Sequence, residues 1–251
     1  ERIKGFGNKK HMTVGTFTGH VVESPTLPPW YRNPPKKQIN KVAVIGAGIA
    51  GLNTAYYLSR LGANVTVFDK NNEIASEASG NRWGMMFPLI SKKMDRLGTF
   101  TKSGSAFTGN QIADLGLGAK PGLLEVITDE KKRARILGGL ERLPEGYVEL
   151  MSSAQIQERF NIDIDYDAVY HHKALTFSPK EYATSIVDAA DFKVSLNMEL
   201  LNYEFKDDLW HLNFKDSEVQ KFDTLIISTA YTAKSFDQTF FELDVLTRWL
   251  V

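Results

Sequence analysis

The hydrophobic pattern has one abrupt onset. Up to residue 40 the chain is polar and broken by glycine and proline. Lys41-Val42-Ala43-Val44-Ile45 is then a short continuous apolar run, as expected of a parallel strand buried on both faces. A helical stretch follows to about Leu61, with Gly62 as its stop signal, and Asn64-Val65-Thr66-Val67-Phe68 is a second strand. Strand, helix and strand in that order predict a βαβ unit and, with it, an α/β fold.

Further along the pattern is weaker. Gly98, Gly104, Gly109, Gly116 and Gly118 are expected to interrupt any long helix. Thr128 to Leu143 has helical spacing, weakened by Gly138-Gly139. Ser152 with Gln155 three residues on predicts a capping box and a helix to about Phe160. Ser178-Pro179 opens another, to about Ala190. Strands are expected at Phe192–Leu196, Leu200–Phe205 and Trp210–Phe214, and Phe222–Ser228 is apolar enough for a central strand. Pro25, Pro28, Pro29, Pro34 and Pro35 stand close together. Proline fixes φ and lacks the amide proton, so 23–40 reads as a semi-rigid linker and a domain boundary.

Composition mostly excludes. No run of eighteen apolar residues occurs, so no membrane span is expected. The chain has no cysteine, which removes disulfides, thiol catalysis and Cys-ligated metal centres and fits a cytoplasmic protein. Thirty basic residues balance thirty acidic ones, giving no global pull toward nucleic acid. The basic clusters Lys4/Lys9/Lys10/His11, Arg32/Lys36/Lys37 and Lys131/Lys132/Arg133/Arg135 read as solvated surface. His171 and His172, adjacent on a strand, would point to opposite faces, so packing or surface roles are expected and no metal site. Trp30 and Tyr31 are expected to pin the linker to a domain face.

The chemistry sits in Gly46-Ala47-Gly48-Ile49-Ala50-Gly51, a G-x-G-x-x-G run placed after a strand and opening a helix. The first glycine turns the chain out of the strand. The second lets backbone amides, those of Ile49 and Ala50 among them, approach a pyrophosphate. The third lets the helix pack closely on the sheet. The free amides and dipole of the helix start favour the anion. Asp69 ends the second strand, where a carboxylate accepts a ribose hydroxyl and repels a 2′-phosphate, so NADP is disfavoured. Lys70 follows it, and Ser79, Gly80, Asn81, Arg82 and Gly84 come within fifteen residues, with one arginine available to a phosphate. These residues alone leave FAD and NAD both open.

Ala78-Ser79-Gly80-Asn81-Arg82-Trp83-Gly84-Met85-Met86-Phe87-Pro88-Leu89-Ile90-Ser91 resembles the segment beside the FAD in the family of bifunctional tRNA 5-methylaminomethyl-2-thiouridine biosynthesis proteins. Lys4-Gly5-Phe6-Gly7-Asn8-Lys9-Lys10-His11-Met12 resembles the end of that family's methyltransferase domain, and the proline linker with Pro29-Trp30-Tyr31 stands between the two, as in the family. Residues 222–230 with Lys234 and Phe236 are similar to a later stretch of its oxidase domain.

The resemblance implies a Rossmann-like FAD-binding domain of the glycine/D-amino-acid oxidase type. It implies residues 1–22 as the tail of a methyltransferase domain, 23–40 as linker and 41–251 as the N-terminal part of the oxidoreductase domain. It implies oxidation of the C–N bond of a carboxymethylaminomethyl group on the wobble uridine of tRNA, giving aminomethyluridine. A methyltransferase domain then methylates the amine with S-adenosylmethionine. It also places Leu200 in the strand that gives backbone contacts to adenine, and Ala230 where the chain passes the FAD. The family continues beyond the point matched by Val251, so the chain reads as a fragment that lacks most of the flavin-ring side and is not expected to complete the tRNA reaction alone. No catalytic residue is singled out. A small-molecule amine or amino-acid oxidase of the same fold, and a non-catalytic nucleotide-binding remnant, stand as alternatives.

Overall fold

The computed structural model describes residues 2–4, 11–13, 40–90, 96–140, 143 and 146–236. Most of the basic tail motif, the linker with Trp30 and Tyr31, Ser91, and residues 237–251 lie outside them. The chain divides into two units, Glu1–Gln38 and Ile39–Val251. In the first, β1 (Arg2–Lys4) and β2 (His11–Thr13) pair antiparallel, with Ile3 opposite Met12.

The second unit opens with β3 (Lys41–Ile45), α1 (Ile49–Arg60) and β4 (Asn64–Phe68), the βαβ unit that the apolar runs indicate. There follow β5 (Gly84–Met86), α2 (Arg96–Asp114), β6 (Lys120–Val126), α3 (Glu130–Leu140), β7 (Val148–Met151), α4 (Ser153–Phe160) and β8 (Ala168–Phe177). α5 (Pro179–Asp188), β9 (Lys193–Ser195), β10 (Leu200–Lys206), β11 (Leu209–Phe214), β12 (Gln220–Phe222) and β13 (Thr224–Ile227) complete it.

A parallel sheet runs in the order β13-β3-β4-β9. Ile45 pairs with Phe68 and Ile227, and Phe68 with Ser195, so the four carboxyl ends lie along one edge. Among the described strands of this sheet only β3 and β4 are flanked on both sides, and Val42, Ala43 and Val44 are fully buried, which is why that run is apolar. One face packs on α1 and α5, through Leu52, Ala55, Tyr182, Ala183 and Ile186. The antiparallel sheet β10-β11-β12 covers the other face, through Leu212, Phe214 and Phe222 against Phe68. A further antiparallel sheet, β5-β8-β6 with β7 also on β8, packs against α3 at Ile136 and α4 at Ile156.

Two sequence expectations need correction. A long helix does run through Gly98, Gly104 and Gly109, since α2 has 19 residues. Gly104 costs only propensity, for it has open space around it, and Gly109 lets the helix approach Met86 and Leu175 within 4 Å of an ideal Cβ. The helix stops where Gly116 takes a φ of +67°. The apolar run 222–228 is also not a central strand. Phe222 belongs to β12, Asp223 turns to accept a hydrogen bond from Lys41 N at 2.8 Å, and β13 pairs only with β3 among the described strands.

Candidate cofactor site

The chain leaves β3 through Gly46, whose φ of +107° strains any side chain. A Cβ on it would also lie 2.5 Å from the carbonyl oxygen of Ser228, beyond β13. Gly51 lies beneath the same turn, and a Cβ there would sit 1.9 Å from the Gly46 oxygen. Only glycine permits this closeness, so the third glycine seats helix on turn as its spacing implies.

Gly48 caps α1 without a side-chain bond. Ser79 supplies one from outside: its Oγ accepts from Ile49 N at 3.1 Å and stands 3.1 Å from an ideal Cβ on Gly48. The amides of Gly48 and Ala50 meet no acceptor among the described residues, and Ala50 is exposed. Free amides at the start of a twelve-residue helix, aligned with its dipole, are an anion site in waiting.

Asp69 follows β4 directly and is half-buried. Its Oδ2 accepts from Ala47 N at 2.7 Å, inside the glycine turn. Its Oδ1 accepts from Asn71 N and Asn71 Nδ2, both at 2.9 Å. Its backbone is pinned too, as Asp69 N donates to Ser195 O at 3.1 Å and Met198 N donates to Asp69 O at 2.8 Å. The carboxylate is thus fixed beside the turn, where a ribose joined to a pyrophosphate at the helix start would lie.

The chain then folds back under the turn. Ala75 N donates to Ala47 O at 3.0 Å, and Gly80 passes so close to Ala75 O that a Cβ would lie 2.4 Å away. Lys70 reaches across this loop to Glu77 at 3.2 Å. Asn81 and Arg82 are exposed. Gly84 lies in β5 opposite Phe177, and an ideal Cβ there would stand 2.8 Å from Pro179 Cγ, so its place in the structure is a packing contact. Leu200 buries its side chain against the core under Phe68 and leaves only backbone available, at a bulge where the pairing slips between Leu200 and Asn202. Ala230, φ +50°, opens a short helical turn after β13, on the edge where Ser228 N donates to Ile45 O at 2.8 Å. Residues 46–51, Asp69, 75–80 and 228–230 therefore share the carboxyl edge of the parallel sheet, while Gly84 lies in the other sheet.

Asn71, Ala75 and the loop 195–198 complete this edge and were not singled out in the sequence. Asp-x-Asn is a known turn former, which is the signal Asn71 offered. Ala75 sits at φ +51° and offers none.

A second polar cluster stands on β6, β8 and α3. Glu125 takes His171 Nε2 at 3.0 Å, Arg135 Nη2 at 2.9 Å and Lys132 Nζ at 3.5 Å. Burial alone would raise its carboxyl. The hydrogen bond from His171 and the charges of Lys132 and Arg135 outweigh that and hold it down at about 2. His172 points the opposite way, toward Glu149 at 3.5 Å, as adjacent strand residues must. Arg133 pairs with Asp167 at 2.8 Å, so three members of the third basic cluster are ion-paired within the fold, to two carboxylates. No group of three His, Asp or Glu among the described residues is placed to hold a metal ion. No described helix is long and apolar enough to cross a membrane.

A parallel sheet with a glycine turn, unpaired helix-start amides and an acid one strand over defines a dinucleotide-binding fold. The family model of FAD-dependent oxidoreductases matches residues 41–246, and the chain belongs to that family. FAD is the cofactor that membership implies.

The chain is similar to the tRNA 5-methylaminomethyl-2-thiouridine biosynthesis bifunctional protein MnmC of Aliivibrio fischeri, 24% identical over 95% of this chain and 36% of the relative. It is similar also to that of Magnetococcus marinus, 25% identical over 92% of this chain and 36% of the relative. It thus spans little more than a third of the curated relatives it matches. Among solved structures it shares its fold with iminodiacetate oxidase from Chelativorans sp., with a TM-score of 0.65, 22% identity and coverage of 78% of this chain and 56% of that one. L-Amino acid deaminase from Proteus myxofaciens gives a TM-score of 0.67 at 15% identity, covering 81% of this chain and 48% of that one.

Proposed function

We propose that the protein oxidises the C–N bond of a carboxymethylaminomethyl group on the wobble uridine of tRNA. The observation that carries this reading is the reach of the likeness to the MnmC relatives. It takes in 95% of the chain and so extends ahead of residue 41, where the oxidoreductase family model begins. An amine oxidase of the common fold alone would not explain that extension. The reading takes residues 1–22 as the tail of a methyltransferase domain, 23–40 as linker and 41–251 as oxidoreductase. It takes the tRNA, a methyltransferase domain and the cytoplasm, where tRNA is modified, as its setting.

The cofactor's pyrophosphate is assigned to the turn Gly46, Gly48, Ile49, Ala50 and Gly51, with Ser79 and Gly80 beneath it. Asp69 takes the ribose, with Lys70, Asn81 and Arg82 along the outgoing segment and Leu200 and Ala230 at the flanks, while Gly84 packs β5 on Pro179. Bound FAD would supply a two-electron hydride acceptor, and water would then split the imine into the aminomethyl group and glyoxylate. The chain's residues orient that cofactor: the free amides of α1 take the anion, and Asp69 fixes the ribose by a charge-assisted bond.

The test uses tRNA from a strain lacking this modification enzyme, with nucleoside mass spectrometry as the readout. Expression of the native full-length protein in that strain should convert carboxymethylaminomethyluridine to the aminomethyl or methylaminomethyl form. Unchanged tRNA, together with oxidation of glycine or another small amine by the purified protein, would overturn the tRNA reading in favour of a small-molecule oxidase.

A further inference from the structure

A carboxylate offers about four acceptor positions, two on each oxygen. On Asp69 three are taken: one on Oδ2 by Ala47 N, and both on Oδ1 by the amide and side chain of Asn71. Among the described residues nothing takes the fourth position, on Oδ2, the oxygen turned toward the glycine turn. We propose that Asn71 is a positioning residue for nucleotide recognition, saturating Oδ1 so that Asp69 takes a single ribose hydroxyl, through Oδ2. This rests on the assignment of Asp69 to the cofactor ribose.

The surroundings support the role. Asn71 is itself held, since Asn197 N donates to its carbonyl at 2.9 Å. The same 195–198 loop binds both backbone groups of Asp69, by Asp69 N to Ser195 O and Met198 N to Asp69 O. Asn71 therefore does not hold the strand end in place, as those bonds do so without it. The amides of Ala47 and Asn71 each hold one carboxylate oxygen, and Nδ2 adds the third bond, which fills Oδ1 and tightens the rotation about χ2. Without it Asp69 keeps its place and both amide bonds, but Oδ1 opens to solvent and the free lone pair of Oδ2 is less sharply aimed.

The probes are ADP and 2′,3′-dideoxy-ADP, titrated calorimetrically into the cofactor-free protein. Asn71→Ala should weaken ADP about 3- to 10-fold, less than loss of a whole charge-assisted bond, because the ribose bond is misaligned and not removed. It should weaken dideoxy-ADP far less, since no hydroxyl is then read. Asn71→Ser, which keeps a short donor beside Oδ1, should recover part of the ADP loss. An Asn71→Ala penalty equal for both ligands, or none for ADP, overturns the assignment while leaving Asp69 as a nucleotide residue. Wild-type protein that binds neither ligand overturns the nucleotide reading and this inference with it.

Discussion

A Cβ at Gly51 would lie 1.9 Å from a backbone oxygen, whereas one at Gly104 meets nothing within 4 Å. The two glycines share a helical conformation, and the difference lies entirely in what they touch. Gly104→Ala should stabilise the fold by about 0.5–1 kcal/mol, from helix propensity and the narrowed unfolded ensemble. Gly51→Ala forces backbone apart and should cost about 3 kcal/mol or more. Urea denaturation of both variants checks the pair, and a mild Gly51→Ala would mean that the turn has room it does not show. Asp69→Ala should weaken ADP by about 1–3 kcal/mol in an equilibrium titration, the loss of charge-assisted bonds. Unchanged affinity would make the acid a brace for Ala47 N alone. The glycines and Asp69 were legible because their spacing is dictated by a ligand-shaped turn. Ser79 was legible as a small polar residue soon after the acid, but not as a helix cap. Its cap on Ile49 N joins positions thirty apart, which no local pattern encodes.

Elements were legible where a local rule was strong. The capping box of α4 forms as its Ser-x-x-Gln spacing requires, with Ser152 N donating to Gln155 Oε1 at 2.8 Å and Gln155 N to Ser152 Oγ at 3.3 Å. Ser152→Ala should cost about 1 kcal/mol, read as a shift in the denaturation midpoint. α2 and the strands β5 to β8 were illegible for the opposite reason. Three glycines hide a helix whose stability comes from packing, and β8 gathers partners from residues 84–86, 120–126 and 148–151, which only the folded chain brings together. Glu125 stitches two of these strands to α3 and makes a pH prediction. Its folded pKa lies below the ordinary glutamate value, so its contribution is fully present above about pH 4.5 and lost as pH falls toward 2. Glu125→Gln should destabilise the protein at neutral pH by about 1–3 kcal/mol, because Arg135 and His171 lose their anionic partner. The gap between wild type and variant should close as the pH falls through that window. A constant gap in acid-limb melting curves would show that Glu125 contributes through packing and not charge.

Among the described residues from 40 to 236 the decisive feature is one apolar core shared by two sheets. Val42, Val44, Val65 and Val67 of the parallel sheet lie in the same cluster as Phe177 of β8 and Ile112 of α2, with Met86 and Leu175 packed against it. Tyr182, 1% exposed, sits where α1, α2 and α5 meet, with its Oη 2.6 Å from Gln111 Oε1 and 3.2 Å from Asn53 Oδ1. One hydroxyl proton cannot serve both acceptors, and Gln111 Nε2 has no partner. Turning the Gln111 amide over removes the conflict between acceptors: Nε2 then donates to Tyr182 Oη, which donates to Asn53, and Oε1 takes the unpartnered position. The three helices are so joined by a relay buried between the sheets. Burial pushes the Tyr182 phenol up, so the relay stays neutral across the working pH range. A shared core of this kind leaves no surface along which one sheet could melt alone, and unfolding should be cooperative. Single-tryptophan variants test this, keeping either Trp83, next to β5, or Trp210, in β11. Their fluorescence transitions in urea should coincide with each other and with loss of far-UV ellipticity. Tyr182→Phe should move both midpoints together, by about 1–3 kcal/mol, since it strands the Gln111 amide. Transitions that separate, with Trp210 persisting after Trp83 has changed, would show that the β10-β11-β12 side, packed on the parallel sheet through Phe68, holds its fold without the β5-β8-β6 sheet, and that the common core is a contact between two independent modules.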